Sequence, residues 1–92
     1  MSSPPDLAGK VVVVTGAGKG IGQAIAERFG AAGSSVVVND VDDSSARAVA
    51  NGIVDTGGTA MAAPADVSDG EQVAAMFDTV MSTHGTVDVL VN

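Results

Sequence analysis

Val11-Val12-Val13-Val14-Thr15-Gly16-Ala17-Gly18-Lys19-Gly20-Ile21-Gly22 decides how this chain folds. Four consecutive β-branched residues are too few for a helix and carry no polar face, so they predict a short strand buried on both sides. Glycines follow at 16, 18, 20 and 22. Ile21, Ala24, Ile25, Arg28, Phe29 and Ala32 then recur at helical spacing, with Arg28 the only polar interruption. Gly33 closes that helix as a C′ residue. The loop thus delivers the chain into a helix start, where backbone N–H groups have no intrahelical partner. Such a start favours anions.

Downstream the same alternation repeats. Val36-Val37-Val38 is a second strand, ending in Asn39-Asp40. Ala46, Val49, Ala50, Ile53 and Val54 have helical spacing, with Ser44 or Asp43 available as N-cap and Gly57-Gly58 as terminator. Thr59 to Ala63 is a weaker strand leading to Pro64-Ala65-Asp66-Val67. Ser68-Asp69-Gly70-Glu71 has the form of a capping box. Val73, Met76, Phe77, Val80 and Met81 make the third helical stripe, Gly85 stops it, and Val87 to Val91 form a fourth strand.

The order β-α-β-α-β-α-β implies an α/β fold with a parallel sheet covered by helices on both faces. Crossovers are right-handed in ~98% of cases. Stepping outward from strand one to two to three therefore puts the first two helices on one face. If strand four returns beside strand one, the third helix lies on the other face. The strand order is then 3-2-1-4, part of a Rossmann-type doubly wound sheet. Such a sheet is incomplete at its C-terminus, because strand four would present an unpaired edge. The expected organisation is a flexible lead-in at residues 1–6, followed at 7–92 by the N-terminal part of a single domain that continues further.

Composition narrows the function. The chain of 92 residues has 4 basic and 11 acidic residues and a net charge of −7. Phosphate neutralisation by clustered Lys and Arg is absent, which argues against nucleic acid and against an anionic membrane surface. The longest apolar run, Val73 to Phe77, is far short of a membrane span. Residues 1–6 have neither the basic nor the apolar region of a secretory signal, so the expected address is cytoplasmic by default. There is no cysteine, which excludes disulfides, thiolate metal sites and cysteine nucleophiles. His84, the only histidine, falls at the end of the third helix, where the dipole favours it as a capping or surface residue. No metal site is expected, and the four methionines, Met61, Met76 and Met81 among them, read as core or the initiator.

The glycine spacing is not G-x-G-x-x-G, because Ile21 and Gln23 stand where that pattern needs glycine. It is T-G-x-x-x-G-x-G, carried by Thr15, Gly16, Gly20 and Gly22. A loop of this kind turns sharply and lets a pyrophosphate approach the backbone where a Cβ would block it. Its position between a valine strand and an amphipathic helix is the context that gives the pattern weight. Lys19 is either a phosphate contact or a solvated loop charge.

Thr15 to Gly22 resembles the cofactor loop of the short-chain dehydrogenases/reductases. Leu7-Ala8-Gly9-Lys10, Ala65-Asp66-Val67 and Val87-Asp88-Val89-Leu90-Val91-Asn92 are also typical of that family, so the resemblance runs from Leu7 almost throughout. It implies an oxidoreductase that moves hydride between a nicotinamide cofactor and an alcohol or ketone. It places Thr15, Gly16, Gly18, Lys19, Gly20, Ile21 and Gly22 at the cofactor phosphates. Asp40 would accept the hydroxyls of the adenosine ribose, making NAD the expected cofactor and NADP the less favoured one. Asp66 and the N–H of Val67 would hold adenine, and Asn92 would lie near the adenosine ribose. Family members are usually dimers or tetramers, with their main interfaces later in the chain. Their chemistry uses a serine and a Tyr-x-x-x-Lys pair. This chain has no tyrosine, so none of its residues is assigned as catalytic and the 92 residues alone are expected to be inactive. The alternatives are a non-catalytic nucleotide-sensing or interaction module on the same fold, and an unrelated Rossmann domain such as a methyltransferase, against which the Thr15–Gly22 pattern argues.

Overall fold

The structure is a computed structural model that describes residues 7–92. The expected lead-in at residues 1–6 lies outside the described residues. Seven elements alternate: β1 (Val11–Val14), α1 (Gly20–Ala31), β2 (Ser35–Asp40), α2 (Asp43–Asp55), β3 (Thr59–Pro64), α3 (Gly70–His84) and β4 (Val89–Val91). The four strands form one parallel sheet in the order β3-β2-β1-β4. This is the expected order.

The register sorts side chains onto two faces. Val12, Val14, Val36 and Val38 pack with Ala26, Ala46, Val49, Ala50 and Ile53, so α1 and α2 cover one face. Val11, Val13 and Val37 pack with Ala63, Met76 and Val80, so α3 covers the other. Burial on both sides is why β1 is all valine. Each fully buried valine contributes about 1.5–3 kcal/mol relative to exposure.

The helical faces differ in detail from the periodicity. In α1 the buried residues are Ala26 and Gly30, flanked by half-buried Ile25 and Phe29, while Ala24 is exposed and Ile21 is 82% exposed. The packing face is therefore turned by about one residue from the apolar stripe. The cause is close approach: a Cβ on Gly30 would meet Ile53 Cγ2 at 2.7 Å, so α1 and α2 meet through a glycine. Val54 and Met81 are likewise half-exposed at the margins of their helices, not core.

Two caps also sit elsewhere. Asp42, not Ser44 or Asp43, caps α2, accepting from the N–H groups of Ser44 and Ser45. Asp69, not Ser68, caps α3, accepting from Glu71 and Gln72. Each aspartate stands in extended backbone one residue before its helix, from where its carboxylate reaches these N–H groups directly. β4 starts at Val89, because Asp88 is committed otherwise: its carboxylate accepts from the Val11 N–H at 2.8 Å. Glycines at positive φ follow or cap every helix, at 33, 57 and 85.

Candidate functional site

All three helices begin at the carboxyl end of the sheet, the end at which doubly wound folds bind ligands. The loop from Thr15 to Lys19 crosses that end. Thr15 extends β1, donating its N–H to the Val91 carbonyl at 2.9 Å and its hydroxyl to Asn92 Oδ1 at 3.0 Å. Gly16 and Gly20 adopt φ of +61° and +63°, a region that L side chains rarely enter. A Cβ at either position would project into open space. The outer surface of the loop is thus bare backbone, a cradle that any side chain would fill.

The inner surface is closed. A Cβ on Gly22 would strike the Gly16 carbonyl oxygen, and one on Gly18 would stand 2.8 Å from Asp40 Oδ2 and from Ser45 Cβ. The loop is pinned to β2 by two bonds: Ala17 donates its N–H to the Asn39 carbonyl at 2.7 Å, and Gly18 donates its N–H to Asp40 Oδ2 at 2.9 Å. Lys19, exposed, holds the N-cap position of α1 and makes no side-chain cap; no acidic residue stands in the first turn. The positive end of this helix is left uncompensated by the chain itself.

Asp40 is 8% exposed. Its other oxygen accepts the N–H of Asp42 at 3.0 Å. A carboxylate has about four acceptor sites, so two remain for hydroxyl donors after Gly18 and Asp42 are served. Asp66, half-buried, follows β3. Its Oδ1 accepts from the Ser68 hydroxyl at 2.6 Å and from the Ser68 N–H at 2.9 Å. These bonds, the hydroxyl first, hold its pKa below the ordinary value. Val67 beside it is 51% exposed, and Val41 after Asp40 is 73% exposed, so with Ile21 three apolar side chains stand open at this end. Apolar exposure of this kind suits the faces of a planar ring.

Thr15 and Asn92 are thus joined directly, as are Gly18 and Asp40. Asp66 and Val67 connect to the others only through intermediates: the Ala65 N–H donates to the Asp40 carbonyl, and Asn39 reaches across with its side chain. Neither Asn39 nor Gln72, whose Oε1 accepts the Asp66 N–H, was anticipated from the sequence. The signal for Asn39 was a polar residue at an inward position of a valine strand. His84 ends α3 at the opposite end of the sheet. Among the described residues no cluster of His, Cys, Asp or Glu could hold a metal ion, and no helix is long and apolar enough to cross a membrane. A groove of about 250 Å³ between β3 and α3, lined by Ala62, Pro64, Met76 and Thr79 among others, lies off the loop.

The sequence matches the short chain dehydrogenase family over residues 10–92. It is 51% identical over 88 residues to 3beta-hydroxysteroid dehydrogenase 1 of Eggerthella lenta, covering 95% of this chain and 34% of that protein. The fold matches the structure of a 7 alpha-hydroxysteroid dehydrogenase complexed with NADH and 7-oxo glycochenodeoxycholic acid, with a TM-score of 0.91 and 40% identity, covering 100% of this chain and 37% of that one. It also matches a metagenomic short-chain oxidoreductase in complex with NADP, with a TM-score of 0.85 and 43% identity, covering 90% of this chain and 38% of that one. The chain spans about a third of the length of these relatives.

Proposed function

The chain belongs to the short-chain dehydrogenase family, and we propose that it forms the cofactor-binding front part of an oxidoreductase that uses NAD to interconvert an alcohol and a carbonyl compound. The observation that carries the reading is the bare loop at Gly16 and Gly20, tied through Gly18 to the Asp40 carboxylate. Bound NAD would supply the hydride-accepting ring; these residues bind and orient it. Backbone N–H groups at the start of α1, from Gly20 to Gly22, would face the pyrophosphate. Thr15, Gly16 and Gly18 shape the turn that admits it. Asp40 would accept the ribose hydroxyls, Asp66 and the Val67 N–H would hold adenine, and Asn92 would border the ribose.

The preference for NAD follows from a balance. Lys19 stands in the loop where a 2′-phosphate of NADP could meet it. Asp40 stands where that phosphate would have to sit. Unit charges ~4 Å apart repel by roughly 4 kcal/mol at an effective dielectric near 20. Salt and solvent in an open groove reduce this to about 1–3 kcal/mol, or about ten- to a hundredfold. An exposed lysine ion pair returns only about 0–1 kcal/mol. Asp40 therefore wins.

The test is kcat/KM for NAD and NADP, with secondary alcohols, in the protein that carries this sequence and in its Asp40→Ala variant. NAD should be favoured about ten- to a hundredfold, and the variant should narrow that ratio. Because Asp40 also holds Gly18, the variant should lose some affinity for both cofactors. A wild type that prefers NADP, or a ratio unchanged in the variant, overturns the assignment. Retained NAD binding with no turnover would favour a nucleotide-sensing module instead. The 92 residues by themselves contain no tyrosine, and we expect no turnover from them. Loss of an acid/base group typically costs about 10²–10⁴ in rate.

A further inference from the structure

Asn39 is 1% exposed, in a strand whose preceding residues are Val36, Val37 and Val38. Its side chain points to the α3 face, opposite to that of Asp40. A buried amide that fails to find partners costs about 1–3 kcal/mol. Here its NH₂ group is engaged: Nδ2 donates to the Ala63 carbonyl at 2.9 Å and to the Ala65 carbonyl at 3.2 Å, with a weaker contact to Met76 Sδ at 3.4 Å. Meanwhile the main-chain carbonyl of Asn39 accepts the Ala17 N–H from the glycine loop. One residue therefore grips both the loop after β1 and the chain leaving β3.

The second grip falls where the sheet gives out. β3 ends at Pro64, which has no N–H to offer. Beyond it, the Ala65 N–H bonds to the Asp40 carbonyl, and Asp66 and Val67 follow at once. The two carbonyls that Asn39 holds lie on either side of this proline. Any drift of the Ala63–Ala65 backbone would carry Asp66 and Val67 with it.

We propose that Asn39 is a positioning residue for the adenosine end of the nucleotide site, its side-chain amide fixing the Asp66–Val67 segment at a set distance from the glycine loop. This rests on the nucleotide reading above. The division of labour within Asn39 makes it specific. Replacement of the side chain leaves the main-chain carbonyl and its bond to Ala17 in place. The loop keeps its anchor, and the segment after β3 loses one of its holds while keeping the Ala65–Asp40 and Asp66–Gln72 bonds.

The experiment titrates AMP into the protein that carries this sequence and into its Asn39→Ala, Asn39→Asp and Met76→Ala variants, well below their unfolding temperatures. Asn39→Ala deletes the amide. Asn39→Asp keeps its shape but has at most one donor, the O–H of the protonated acid that burial favours, so it cannot hold both carbonyls. Met76→Ala removes packing and the weak sulfur contact to Nδ2 from the same place but leaves both carbonyl bonds of Asn39 intact. Both Asn39 variants should bind AMP about five- to tenfold more weakly, as expected for the loss of one or two net hydrogen bonds. Met76→Ala should stay within about twofold while unfolding at a lower temperature. Asn39 variants that bind AMP like wild type, or a Met76→Ala variant weakened as much as they are, would overturn the proposal. A wild type that does not bind AMP at all overturns the nucleotide reading and this inference with it. Should the variants fail to fold, the unaltered protein still decides. On addition of AMP the side-chain NH₂ resonances of Asn39 should shift together with the Val67 amide, and Asn39 signals that stay still while Val67 moves count against it.

Discussion

Three helices start at the same end of this sheet, and they start in two different ways. α2 and α3 are each capped by an aspartate, Asp42 and Asp69, and each carries an acid in the first turn, Asp43 and Glu71. Two orphan N–H groups of each are served by the capping carboxylate, and the acids complement the dipole. α1 begins at Lys19 with no side-chain cap and no acid, behind a loop of bare backbone. Two helices thus carry their own caps and the third does not, and it is at this third start that we propose the cofactor phosphates bind. The glycines that keep it open are of two kinds. Gly16 and Gly20 leave outward space, and Gly18 and Gly22 permit inward contact.

The largest effect should come from filling the inward side. Gly22→Ala places a methyl group against the Gly16 carbonyl, a backbone atom that cannot rotate away. Overpacking of this kind costs about 1–3 kcal/mol. It should also move the loop and weaken NADH binding by more than about tenfold. Gly52→Ala is the matched control: it lies within α2 with nothing within 4 Å of its Cβ. That change should stabilise the fold by about 0.5–1 kcal/mol and leave NADH binding alone. Denaturant midpoints and NADH fluorescence titrations read both. Equal responses at the two glycines would break the distinction between them.

The contrast between the helix starts can itself be inverted. Asp69→Ala should remove the α3 cap and cost about 1 kcal/mol, with AMP affinity unchanged. Lys19→Asp should do the reverse at α1. The extended backbone of Lys19 already has N-cap geometry, so an aspartate there can serve the open N–H groups. We expect a gain of about 0.5–1 kcal/mol in stability together with weaker binding of AMP, whose phosphate must now compete with a carboxylate. If Lys19→Asp stabilises the fold and leaves AMP affinity intact, the phosphate does not sit at the start of α1.

The same contrast explains what the sequence made legible. Strand order and helix faces followed from the valine runs and from handed crossovers, because burial on two sides leaves few other residues possible. The α1 packing face did not, because hydrophobic periodicity registers Ile21 and Ala24 but is blind to Gly30, which packs by having no side chain. The caps were each displaced by one or two residues, since Ser and Asp neighbours at 42–45 and 68–69 are interchangeable on propensity and only reach decides among them. In the site, the loop was visible through its spacing. Asn39 was not, because its partners are the carbonyls of Ala63 and Ala65, which any sequence would supply.

The smallest expected effect concerns Asp66, an acid that caps no helix. Asp66 spends its carboxylate on Ser68, whose hydroxyl and then N–H lower its pKa from the ordinary value of 3.8. Asp42 is lowered in the same sense, chiefly by the Ser44 hydroxyl. A carboxylate whose pKa is depressed on folding stabilises the fold above its unfolded pKa, and that stability is lost as pH falls through the folded value. Both contributions should therefore be complete at neutral pH and fade below about pH 4. Ser68→Ala removes the hydroxyl, so the Asp66 titration followed by carboxyl NMR should move up toward 3.8, while Asp42 stays where it was. At pH 7 Asp66 remains ionised in either case. AMP affinity should then be unchanged at neutral pH, and the variant should lose affinity at a higher pH than wild type on acidification. An Asp66 that titrates identically with and without the Ser68 hydroxyl would mean that this bond does not hold the carboxylate in solution, leaving it as free at the end of β3 as the exposed Val67 beside it.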